Sequence, residues 1–169
     1  MNWIIRKTNK LKYHTNLFEL TKPLQQYIDN YNWLFSDLDF ITDNLPDLPI
    51  NYDNDYFILS SDNFKEIINK DVQIVWGALL AVPKHYEIEV DELHLPFVEG
   101  NDAIWKNGNI QLKNADIEID CFDSSYTIIK FRNEDMSNVF KSYFDEAIKF
   151  RTPVLVTIIL CILSLVVEK

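Results

Sequence analysis

The run VQIVWGALLAV (72–82) decides the fold: eleven consecutive residues without a charge, centred on Trp76-Gly77. An uncharged run of this length, rich in β-branched and aliphatic residues, predicts a central strand buried on both faces. Gly77 within it marks either a bulge or a close approach of a neighbouring chain segment.

Working back from this strand, residues 56–59 (YFIL) form a short strand, and Ser61-Asp62 is a cap signal for a helix with Phe64, Ile67 and Ile68 on one face. Residues 31–41 alternate loosely and predict a strand, and 43–55, with Pro46 and Pro49, predict a loop. Upstream, Thr21 is the expected N-cap of a helix with Pro23 in its first turn and Leu24, Tyr27 and Ile28 at helical spacing, ending near Asn30. Trp3-Ile4-Ile5 reads as a first strand.

Downstream the patterns at 86–90, 110–112, 115–122 and 126–131 predict four strands. Asn133 then caps a final helix with Met136, Val139, Phe140, Tyr143 and Phe144 inward. The expected fold class is α+β, a mainly antiparallel sheet with about three helices, in one domain over residues 1–150. An apolar segment, 151–169, follows it.

The 169 residues are 47% hydrophobic, with Phe 11, Tyr 8 and Trp 4, enough for a packed core. Gly 3 leaves no glycine-rich phosphate loop, and no cofactor is expected. The formal net charge of -10 opposes nucleic-acid binding. Cys121 and Cys161 have no metal-ligand or disulfide spacing and suggest a reducing compartment. The basic N-terminus is followed by no apolar run long enough for a cleaved signal peptide.

Charge distribution is more informative. Between Pro23 and Phe64 there are eight aspartates and no lysine or arginine. Such a zone faces water or a basic partner. The expected partner-binding residues are Asp37, Asp39, Asp43, Asp53 and Asp55, joined by Glu87, Glu89 and Asp91 opposite Tyr86, Ile88 and Val90.

A second alternation sets Asp116, Glu118 and Asp120 against Ile117, Ile119 and Cys121. If Asp123-Ser124-Ser125 is a three-residue loop, Phe122 pairs with Tyr126, Glu118 faces Lys130 and Asp116 faces Arg132. Internal ion pairs across the strands are therefore favoured over a binding ladder. The paired aspartates lack the Gly and Glu of a calcium loop, and His14, His85 and His94 fit no zinc spacing, so no metal is expected. Cys121 with His94 could be drawn as a nucleophile pair, but a buried structural cysteine is the better reading.

The uncharged run PVLVTIILCILSLVV (153–167) is shorter than the roughly 17–25 residues of a membrane span. Membrane contact, packing as a strand or helix, and an out-of-register end are the three readings of it.

The segments YNWLFSDLD (31–39), FILSSDNFKEII (57–68), VQIVWGALLAVPK (72–84) and IEIDCFDSSYTII (117–129) resemble an uncharacterised family of small bacterial α+β proteins, a domain of unknown function. Its members look like the small acidic proteins found beside polymorphic toxins, some acting as immunity proteins. The resemblance covers roughly residues 25–148 and implies a cytoplasmic, non-enzymatic protein that neutralises a basic toxin domain by occlusion. A small hydrolase or metal-dependent enzyme, and a membrane-tethered adaptor, are the competing expectations.

Overall fold

The computed structural model describes residues 1–6, 8–43, 47–50 and 53–150. Among these residues the chain is an α+β protein built on one antiparallel seven-stranded sheet. Its strands are β1 (Asn2–Ile5), β2 (Tyr31–Thr42), β3 (Tyr56–Leu59), β4 (Val72–Pro83), β5 (Ile117–Phe122), β6 (Tyr126–Phe131) and β7 (Ile148–Lys149). They lie in the order β3-β2-β4-β5-β6-β1-β7, and each neighbouring pair is antiparallel.

β4 occupies an interior position between β2 and β5, as its uncharged sequence requires. Leu79 and Ala81 enter one core, Ala78, Leu80 and Val82 the other. The helices cover the first face. α1 (Leu17–Thr21) continues through a 3-10 turn (Lys22–Leu24) into α2 (Gln25–Ile28), and α3 (Ser61–Ile68) and α4 (Glu134–Tyr143) complete the layer. Phe64 stacks on Trp33 with ring centroids 3.8 Å apart, and Phe140 lies against Phe131 and Phe144.

Caps differ in detail from expectation. Asn16, not Thr21, begins the first helix by accepting from the Glu19 amide, because Thr21 is buried and donates to Leu17 O. Ser60, one residue before the expected signal, caps α3. Asn133 caps α4 as expected, accepting from Met136 N.

The second face is covered by residues 84–116, irregular chain apart from a 3-10 turn (Asp102–Trp105), where two strands are expected and neither forms. Val98, Ile104 and Ala115 are buried there against Leu34, Leu80 and Ile128, with Ile88, Val90, Ile110 and Leu112 packed around them. The alternation expected at 86–90 holds in burial only from Glu87 on: Ile88 and Val90 are half-buried while Glu87, Glu89 and Asp91 are exposed, but Tyr86 is exposed too. An extended segment lying on an apolar surface shows the same period of two as a strand. It earns no ladder of hydrogen bonds thereby.

The hairpin register follows the expected loop: Phe122 pairs with Tyr126 and Glu118 with Lys130. Its surroundings do not follow. The 84–116 segment encloses this face, so Glu118, Asp120 and Lys130 are all fully buried. The expected Asp116–Arg132 ion pair is replaced by other partners. The Asp116 carboxylate accepts from Tyr31 Oη at 3.2 Å, while the Arg132 guanidinium donates to the carbonyls of Leu112, Lys113 and Ala115.

Candidate functional site

β2 is the longest strand together with β4, and it breaks its own register midway. Its pairing with β4 shifts between Ser36 and Asp39. Asp37 adopts a left-handed backbone (φ 54°), a conformation that aspartate tolerates better than most residues. Opposite the bulge stands Gly77, where an added Cβ would meet Leu38 Cδ1 at 3.0 Å and Ile74 Cγ2 at 3.2 Å. The glycine is thus a close-approach position that seats the bulge.

The bulge turns two polar side chains onto the covering segment. Ser36 Oγ donates to Pro96 O at 2.6 Å, and Asp37 Oδ2 accepts from the amides of Val98 (2.7 Å) and Glu99 (3.2 Å). Residues 96–99 are held across the strand in this way. Between them, the bulged part of β2 and the entry to β3 lies a cleft of about 730 Å³. Asp37, Asp39, Asp55 and Glu99 supply its charge, and Phe40, Phe57, Trp76 and Phe97 are its larger apolar walls. No lysine, arginine or histidine lines it among the described residues.

Of the eight expected binding residues, the fold brings three to this cleft. Asp39 and Asp55 are exposed, and Asp37 divides its carboxylate between the cleft and the backbone of 98–99. Glu99 is a member that sequence reading missed; it lies outside every acidic run and arrives only through the fold. Asp43 lines a separate hollow with Lys12, Tyr13 and Asp71. Asp53 is exposed beside the entry to β3. Glu87 and Glu89 project from the irregular segment. Asp91 bonds His94 Nδ1 at 2.7 Å and the Leu93 amide, and these contacts hold its carboxyl below the usual aspartate range.

The described residues hold no group of three or more His, Cys, Asp or Glu arranged to bind a metal ion, so the cleft carboxylates ring the space rather than converge on a point. This arrangement suits an extended cationic ligand: carboxylates attract the charge, and the aromatic walls receive the alkyl stems or guanidinium faces of lysine and arginine. Cys121 lies in the core between sheet and helices, and burial, then the neighbouring Asp120, push its thiol pKa well up. A reactive thiolate is not formed in such a setting.

Among the described residues no helix is long and apolar enough to cross a membrane; the 153–167 run lies outside them. No protein-family model matches the chain, and comparison with curated proteins and with solved structures produced no match.

Proposed function

We propose that this chain is a non-enzymatic binding protein whose acidic cleft receives a basic surface of a protein partner. Occlusion of a bacterial toxin domain in the cytoplasm is the biological form that the family resemblance suggests. The observation that carries the reading is the cleft itself: four carboxylates and four aromatic side chains around about 730 Å³, without a basic side chain among the described residues of the lining. The long-range field of a chain with net charge -10 would steer such a partner, and the aromatics would anchor it.

The test is capture of partners from the native host by the tagged protein at low and high salt, beside the variant Asp39→Asn/Asp55→Asn/Glu99→Gln. These three side chains are exposed, so the variant should fold. A basic protein recovered near one to one, lost at high salt and captured with an association rate about tenfold slower by the variant, is the expected result. Equal capture by both proteins would remove the cleft from the account.

A further inference from the structure

We infer that the partner's basic segment docks as an added β-strand along the outer edge of β3, which places its cationic side chains in the acidic cleft. The inference rests on the proposed function and deepens it by naming the backbone mode of binding.

The sheet ends in two very different strands. β7 is two residues long and includes Lys149. β3 is YFIL, with no charge and no proline, and among the described residues it pairs with β2 alone. Edge strands are normally guarded by lysine, proline, bulges or covering segments, because their outward amides and carbonyls recruit other strands. The four residues of β3 include no lysine, proline or bulge, no covering strand pairs with its outer edge among the described residues, and Ile58 at its centre is 50% exposed.

The position of the cleft relative to this edge is the second observation. β3 pairs with β2 only as far as Ser36↔Tyr56, whereas β2 continues through the bulge to Thr42 along β4. The sheet edge therefore steps inward at Asp37, and the cleft fills the step, bounded by Asp37–Phe40 on one side and Asn54, Asp55 and Phe57 on the other. A strand laid along β3 would run into this step. Alternate side chains on a strand point to one side about 7 Å apart, so cations at every second position would meet carboxylates on entering it.

Charge selects the occupant. A second copy of this chain would bring its own Asp53, Asp55 and Asp62 to the same edge. A basic segment brings complementary charge, and strand addition is an established way for a sheet edge to bind an extended peptide.

The experiment uses the full chain and a synthetic peptide, acetyl-Arg-Val-Arg-Val-Arg-Val-Arg-amide, as the probe. Two further forms carry N-methyl groups on the arginines or on the valines, which blocks one row of peptide amides at a time and leaves the protein untouched. The expected result is that one N-methylated form binds about tenfold or more weakly while the other stays close to the parent, since only one row faces the edge. Hydrogen exchange at residues 56–59 should slow with the parent peptide.

If both N-methylated forms bind like the parent, and binding is lost in Asp39→Asn/Asp55→Asn/Glu99→Gln, strand addition is overturned while the acidic cleft stands. Absence of parent binding, or binding that survives the triple substitution, overturns both. Slowed exchange in β3 that appears on concentrating the protein alone would make a second copy the occupant and overturn the inference for a partner.

Discussion

The ammonium of Lys130 lies 2.5 Å from Oε1 of Glu118, with both side chains fully buried between adjacent strands. Asp120, two residues along β5 from Glu118, places Oδ2 2.7 Å from the same nitrogen as an ion pair without hydrogen-bond alignment. Glu118 also accepts from the Gln111 amide and side chain, which ties the triad to the covering segment. Two carboxylates around one cation in a closed core are held by their partners, and removing one partner strands the rest.

Lys130→Met should therefore destabilise the fold by about 3–5 kcal/mol, because two carboxylates would remain buried without a cation. The triple variant Glu118→Gln/Asp120→Asn/Lys130→Met should recover most of that loss, since its buried side chains carry no charge. Urea midpoints of the two variants measure the difference. A single variant as stable as the parent would show that water reaches the triad.

Burial, and then the charge of Glu118, raise the pKa of Asp120 well above its ordinary 3.8, although Lys130 opposes the shift. A carboxyl whose folded pKa is raised binds its proton more tightly in the folded state. The stabilising contribution is full below the unfolded value near 3.8 and is lost as pH rises through the folded one. Asp120→Asn removes this loss. The variant should gain stability relative to the parent as pH rises from 4 toward neutrality, and parallel denaturation curves across that range would contradict the assignment.

Much of the sheet was legible in the sequence because its signals are local. A three-residue loop between Phe122 and Tyr126 fixes which side chains face one another, and an uncharged 72–82 run has few places to go but the interior. The burial of Glu118 and Lys130 was not legible, because it depends on Val98, Ile104 and Ala115 closing over that face from a segment that is irregular apart from one 3-10 turn. The cleft shows the same division. Asp39 and Asp55 announce themselves in an acidic zone, but their meeting with Glu99 depends on the Asp37 bulge and its bonds to residues 98–99.

Gly77→Ala tests the seat of that bulge. The new methyl would lie 3.0 Å from Leu38 and 3.2 Å from Ile74, at a backbone φ of 157° that side chains rarely adopt. A loss of about 1–3 kcal/mol is expected from overpacking, read as a lower urea midpoint. Leu38 also lines the cleft, so peptide affinity should fall in the same variant. Unchanged stability would mean that β2 can shift without strain.

Native protein should resist alkylation at Cys121, since the thiol is fully buried and its pKa is pushed up by burial. Peptide mapping after iodoacetamide treatment should find this cysteine modified only when denaturant is present. Rapid labelling in the native state would reopen the nucleophile reading that the core position argues against.

Asp37 joins two roles that substitution can separate. Its carboxylate accepts from Val98 and Glu99, and Val98 is fully buried, so Asp37→Ala leaves a buried amide without its partner. A loss of about 1–3 kcal/mol and faster hydrogen exchange at Val98 are expected. Asp37→Asn keeps an acceptor oxygen and tolerates the left-handed backbone, yet removes the charge. It should leave exchange at Val98 within a few-fold of the parent while slowing association with a cationic partner. If Asp37→Asn speeds exchange as much as Asp37→Ala does, the ionised carboxylate itself holds the segment, and the charge at this position serves the fold before it serves the cleft.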